Sequence, residues 1–264
     1  MLSETELIFL IISVITTATT IISQIYPIRN IIYQYKIRHI RKIFGYKNGD
    51  EVLLVCSELY NPTERQIVED REFIYLMKYG DIDAWVEFML SMVKAFPKVD
   101  FKICSSGEAL TNRSYLEGNI ALIGGPDYNK LTEYFITSGK TRFKYGDKDG
   151  EITLVDRRTN EEYFYTNLDN DFGHIEKFPN PYNKEKSVVM FGGCHTVGVT
   201  AAVKFFSVFS NGKSTISNVA LTNAKRIIGN KGVDDSEFVL LIRANKIGAT
   251  ICYPSYDDII WPER

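Results

Sequence analysis

The sequence predicts an α/β fold of the Rossmann-like kind: a mostly parallel sheet carrying an antiparallel hairpin insertion, preceded by one N-terminal transmembrane helix. Three observations predict it. Short apolar runs at 51–57, 99–105, 119–123 and 187–191 are separated in the first part of the chain by helical patterns, the β-α-β order of a parallel sheet. The runs at 119–123 and 187–191 end in paired glycines, Gly124-Gly125 and Gly192-Gly193, and lead into helical patterns. Residues 7–25 carry no charge, and that span is close to the ~20 residues that cross a bilayer as a helix.

Composition narrows the classes. With 45% hydrophobic and 24% charged residues the chain has material for one or two ordinary cores. A net charge of -2 offers nucleic acid no global attraction, so no nucleic-acid partner is expected. Cys56, Cys104, Cys194 and Cys252 lie far apart, without a CxxC pair, inside or at the end of expected strands. They read as free thiols of a reducing compartment, and no metal site or cofactor is expected.

Taken in order, residues 1–28 form the expected anchor. Glu4 and Glu6 precede the apolar stretch, where a cleaved signal peptide would carry basic residues. Arg29, Lys36, Arg38, Arg41, Lys42 and Lys47 follow it before Asp50. The positive-inside rule then puts the amino terminus outside and the rest of this single-pass chain in the cytoplasm. Residues 29–48 read as a basic amphipathic juxtamembrane helix with a stripe of Tyr33, Ile37, Ile40 and Phe44. That stripe suits the surface of an anionic bilayer or a neighbour's copy, giving a homo-oligomer through the membrane and juxtamembrane helices. His39 is expected to be solvated, and 45–49 to be a hinge.

Residues 49–264 read as one α/β domain. After the first strand come a turn at Asn61-Pro62 and a weakly periodic helix over 64–79. A clearer helix follows, capped by Asp81 or Asp83, with an apolar stripe from Ile82 to Phe96 stopped by Pro97. The pattern over 141–165 changes to alternation broken by turn residues, which predicts the antiparallel insertion. Residues 169–183 read as a polar surface loop containing Asp171, His174 and Glu176. Asn211-Gly212 marks a turn, 215–228 has no clear assignment, and the runs at 237–244 and 248–253 suit an edge hairpin.

The motifs Gly124-Gly125-Pro126 with Asn129, Asn180-Pro181 with Asn183, Gly192-Gly193, and Gly198 with Thr200-Ala201-Ala202 together resemble the C-terminal Rossmann-like domain of archaeal surface-layer-type proteins, over about 119–206. The resemblance implies an α/β fold of that type and carries no catalytic residue across. Cys194-His195 and the expected cytoplasmic placement depart from it.

Three functions compete. A sensor would bind a small anionic ligand such as a nucleotide, with Gly124, Gly125, Asn129, Gly192, Gly193, His195 and Thr196 lining the site and occupancy reported to the membrane helix. A hydrolase or transferase would use Cys194 as nucleophile, its pKa lowered at a helix amino terminus, with His174 as base and Asp171 or Glu176 orienting it. A tethered assembly subunit would need neither ligand nor chemistry.

Overall fold

The computed structural model describes residues 4–57, 79–164, 170–210, 213–229 and 236–260, excepting most side chains between 4 and 30 and those of 79–81, 209–210 and 213–216. The turn at Asn61-Pro62, nearly all of the helix expected over 64–79, and the turn at Asn211-Gly212 lie outside the described residues. The chain divides into two units, Met1–Arg38 and His39–Arg264.

The first unit is most of α1 (Glu4–Phe44), a helix of 41 residues that at 1.5 Å per residue measures roughly 60 Å. It runs past 28 without a break and contains Pro27, so the stretches expected as anchor and as juxtamembrane helix belong to one helix. The hydroxyls of Thr16, Thr17, Thr19 and Thr20 donate to carbonyls one turn back at 2.8–2.9 Å, which removes their need for outside partners. Among the described residues, no helix is long and apolar enough to cross a membrane. The side chains of Leu7, Ile8, Leu10, Ile11, Ile21, Ile22 and Ile25, on which the expected span depends, lie outside the described residues.

The second unit begins with the last turn of α1, followed by β1 (Glu51–Cys56), α2 (Tyr79–Ala95), β2 (Asp100–Ser105), α3 (Ser106–Thr111), α4 (Arg113–Leu116), β3 (Asn119–Ile123) and α5 (Lys130–Thr137). A three-stranded antiparallel sheet, β4 (Phe143–Lys148), β5 (Glu151–Asp156) and β6 (Glu162–Phe164), is the expected insertion. The long strands β7 (Asn170–Asn180) and β8 (Asn183–Gly193) follow, then α6 (Thr196–Lys204), β9 (Phe209–Ser210), β10 (Lys213–Ile216) and α7 (Asn218–Gly229). β11 (Phe238–Ile247), β12 (Thr250–Ile251) and β13 (Ile259–Ile260) complete the chain's described part.

The main sheet runs β12-β11-β7-β8-β3-β1-β2. β2, β1, β3 and β8 are parallel, whereas β7 runs antiparallel between β8 and β11. β11 and β12 form the expected edge hairpin. β1, β3 and the second half of β8 are buried on both faces, which explains their unbroken apolar runs, whereas the edge strand β2 is largely exposed. Val52, Leu54, Ile123, Val189 and Phe191 face one core with α2, α6 and α7, while Leu53, Val55, Leu122, Val188 and Met190 face another with α5.

Three expectations are corrected. Residues 170–180 are no surface loop: they form β7, with Asp171, His174 and Glu176 buried. A polar composition hid the strand because Asp171, Glu176 and Lys177 bond to main chain and His174 bonds to the Tyr145 hydroxyl. Asp81 and Asp83 lie inside α2, which is described from Tyr79. Residues 45–49 do not release a lipid-bound helix, because Ile40, Ile43 and Phe44 are core residues. Phe44 meets Phe88, Phe96, Phe191 and Phe206 at ring centroid distances of 5.6–6.4 Å. Gly45, at φ +73°, turns the chain out of the helix as a left-handed C-cap. Lys177, itself buried, donates from Nζ to the Ile43 carbonyl at 2.7 Å and answers one of the helix's end carbonyls.

Candidate functional site

Both glycine corners lie at the carboxyl rim of adjacent parallel strands. Ile123 pairs with Phe191, and Gly124 N–H donates to the Phe191 carbonyl at 3.0 Å. The order β2-β1-β3 also places a topological switch point between β1 and β3, beside the first corner.

The two corners are built differently. In the first, Gly124 adopts φ +107°, and a Cβ on Gly125 would meet only the Tyr145 ring at ordinary distances of 3.7–3.9 Å. The Asn129 side chain does not face the rim. Its Oδ1 accepts from Thr132 N–H at 3.1 Å as the N-cap of α5, and its Nδ2 donates to the Val55 and Ile123 carbonyls at 3.4 and 3.3 Å. It ties β1, β3 and α5 together, and Ser57 Oγ adds a bond to the Ile123 carbonyl at 3.1 Å.

In the second corner, glycine serves close packing. A Cβ on Gly193 would stand 2.5 Å from Val199 N, and one on Gly198 would stand 2.7 Å from the Phe172 carbonyl carbon. Gly173 on β7 takes the facing position, so α6 rests main chain to main chain on β7 and β8. A Cβ on Gly192 would collide with His174 Nε2 and with Tyr145 Oη.

Asp171 reaches across from β7 to cap α6. Its Oδ2 accepts from His195 N–H at 3.1 Å and Gly198 N–H at 2.6 Å, while Oδ1 accepts from Phe172 N–H at 2.7 Å. His195 is the N-cap residue but its own side chain makes no cap bond, so a carboxylate from another strand does that work. Burial pushes the Asp171 carboxyl up to about 6 against the pull of the Gly198, Phe172 and His195 N–H groups and the His195 ring. The N–H groups of Thr196 and Val197, in half-buried residues, are the first-turn donors that Asp171 does not take.

His174 and Glu176 also have defined partners. Gly193 N–H donates to Tyr145 Oη at 3.1 Å, and the Tyr145 hydroxyl shares a hydrogen bond with His174 Nε2, also at 3.1 Å. His174 Nδ1 stands 3.2 Å from Glu176 Oε1, out of line for a hydrogen bond. Glu176 accepts from Arg142 N–H at 2.7 Å and Phe143 N–H at 3.1 Å. It fastens the start of the inserted sheet to β7. Burial and the nearby Cys194 hold the Tyr145 hydroxyl above its ordinary range.

Cys194 shows the reverse of the expected activation. It is 3% exposed, its Sγ lies 3.6 Å from the Tyr163 carbonyl, and burial with the Asp171 charge pushes the thiol up to about 12. The helix end that was to lower its pKa is answered by Asp171. Iodoacetamide at pH 7 is therefore expected to label half-buried Cys252 well before Cys194 in the native protein, as peptide mass spectrometry would show. Fast Cys194 labelling would contradict this placement.

The structure thus gathers Gly124, Gly125, Gly192, Gly193, Cys194, His195, Thr196, Asp171 and His174 around one rim and sends Asn129 inward. Tyr145 lies between the corners and was missed by the sequence reading. The alternation Phe143-Lys144-Tyr145 would have put Phe143 and Tyr145 on one face, but nothing in it says which surface that face meets. His195 keeps a 38% exposed side chain, with Nε2 3.6 Å from Glu151 Oε2 on β5. No grouping of three or more His, Cys, Asp or Glu suited to a metal occurs among the described residues.

The chain matches no protein-family model and no curated protein. Its class is therefore stated from its own geometry: a mixed α/β unit with a largely parallel sheet and an antiparallel inserted sheet.

Proposed function

We propose that this chain is a membrane-tethered α/β module that takes a small anionic ligand, a nucleotide being the class considered, at the carboxyl rim of its parallel strands. The observation that carries the reading is the adjacency of the two glycine corners, with Gly125, Tyr145, His195 and the first turn of α6 bordering one half-buried surface. Gly125 permits close approach of a ligand to main chain. The Thr196 and Val197 N–H groups and the Thr196 hydroxyl supply donors, and the Tyr145 ring supplies an apolar wall. Occupancy would be felt at Phe191, one residue before Gly192, which stacks on Phe44 in the last turn of α1 at 6.4 Å.

The tether is α1, inserted over 7–25 with the amino terminus outside and the second unit in the cytoplasm. Kinship with the Rossmann-like domain of surface-layer-type proteins belongs to the same proposal. The motif residues it rests on have architectural work: Asn180 Nδ2 donates to the Leu116 and Gly118 carbonyls at 2.7 Å, and Asn183 Nδ2 to the Glu117 carbonyl at 3.1 Å.

A second reading, a tethered assembly subunit without ligand, is favoured by one observation: the second corner is filled by the chain's own atoms, the main chain of α6 at Gly193 and the His174 and Tyr145 side chains at Gly192. Cysteine chemistry is not proposed, given the shielding of Cys194.

Thermal unfolding of the full-length protein in detergent, with and without inorganic phosphate and a panel of nucleoside mono-, di- and triphosphates, separates the readings. Saturation at about 100 times Kd adds about 2.7 kcal/mol, which in a domain of this size raises Tm by roughly 5–10 °C. Absence of a shift with every anion would favour the assembly subunit.

A further inference from the structure

We propose that α1 pairs with α1 of a second copy of this chain in a parallel, in-register, left-handed coiled coil whose seam runs from Leu7 to Tyr35. The parallel sense rests on the membrane tether proposed above, which orients both copies alike.

The seam is read from its period. Numbered as heptads, Leu7, Val14, Ile21, Ile28 and Tyr35 fall on successive a positions, and Leu10, Thr17, Gln24 and Ile31 on the d positions between them. A seven-residue repeat sustained this far keeps one stripe facing a partner only if two helices supercoil left-handedly. The apolar members whose side chains are described are exposed: Val14 is 62% exposed, Ile28 56%, Ile31 67% and Tyr35 63%.

Charge decides what covers the stripe. Arg29 and Lys36 fall on b positions, away from the seam, so pairing brings no like charges face to face along it. Arg38 and Lys42 fall on the next d and a positions. Two copies would oppose cations there, and the seam ends at Tyr35 for that reason. Arg38 instead lays its guanidinium over its own Tyr35 ring at 4.0 Å. Length points the same way. A helix of 41 residues is about twice what a bilayer core of ~30 Å covers, so Ile28, Ile31 and Tyr35 stand beyond the lipid with apolar area still to bury.

The test uses the full chain with Cys252→Ser, carrying one of Ile28→Cys, Arg29→Cys, Ile31→Cys, Tyr35→Cys or Lys36→Cys, reconstituted in phosphatidylcholine–phosphatidylglycerol vesicles. Copper-phenanthroline oxidation is expected to give covalent dimers at 28, 31 and 35, at least about fivefold more than at 29 and 36. Light scattering in detergent is expected to give the mass of a dimer, reduced to the monomer by Tyr35→Glu. Crosslinks that are absent, equal at all sites or strongest at 29 and 36 would overturn the proposal. An antiparallel pair would also overturn it, since identical residues at 28 and 35 could not both meet. Flotation of the vesicles reports the tether separately. Protein that floats without seam-specific crosslinks loses the pairing alone, whereas protein that stays soluble loses the tether and the parallel sense with it.

Discussion

Gly198→Ala is expected to destabilise the second unit by about 3 kcal/mol, at the top of the range for overpacking, and to leave little folded protein at 37 °C. The added methyl would stand 2.7 Å from the Phe172 carbonyl carbon and 2.9 Å from Asp171 Oδ2. Neither can yield cheaply. Phe172 is main chain in the middle of the sheet, paired with Arg243 on β11. Asp171 is the cap of the helix that carries Gly198. Relief requires α6 to lift from β7 and β8, opening the core that Val199, Ala202 and Val203 fill. Urea unfolding followed by circular dichroism measures the loss. A Gly229→Ala control, with nothing within 4 Å of the new methyl, is expected to change stability little. Equal stability of Gly198→Ala and wild type would mean that α6 does not sit on the sheet as described.

Asp171→Ala is expected to cost about 2–3 kcal/mol, because it strips the cap and leaves the His195 and Gly198 N–H groups without their acceptor. The same carboxyl gives a pH signature of defined sign. Its folded-state pKa is raised to about 6 from an ordinary 3.8, chiefly by burial. The unfolded chain therefore ionises at lower pH than the native one. This group's contribution to stability falls as pH rises from about 4 to about 6 and is level above that, a total of roughly 3 kcal/mol. Asp171→Asn removes the titration. The stability difference between wild type and Asp171→Asn should accordingly move in the variant's favour as pH is raised from 4 to 7. Parallel curves across that range would contradict the buried capping carboxyl.

The parallel core was legible because burial on both faces writes strands as unbroken apolar runs. β3 falls on 119–123 as read, and both glycine corners fall where strands end. β7 was illegible for the opposite reason. A strand that carries Asp171, His174, Glu176 and Lys177 inward gives each of them a partner far away in sequence: α6, Tyr145, the start of β4 and the end of α1. Periodicity cannot report such partners. The function of Gly173 was hidden likewise, since a glycine needed for close approach of a helix looks like any turn glycine. The alternation of β4–β6 announced an insertion, yet the docking of Tyr145 between the two corners depends on the fold. In α1 the uncharged span and the stripe through Ile40 and Phe44 were visible, whereas the burial of the last turn among Phe88, Phe191 and Phe206 was not.

Amide NMR of the deuterated full-length protein in micelles, titrated with inorganic phosphate and then with the nucleotides, reads the rim residue by residue. Binding at the rim predicts saturable shifts confined to Gly125, His195, Thr196 and Val197, with smaller ones at Tyr145. Shifts that fall elsewhere on the molecule, or none at millimolar anion, would leave two glycine corners that only hold a sheet and a helix together.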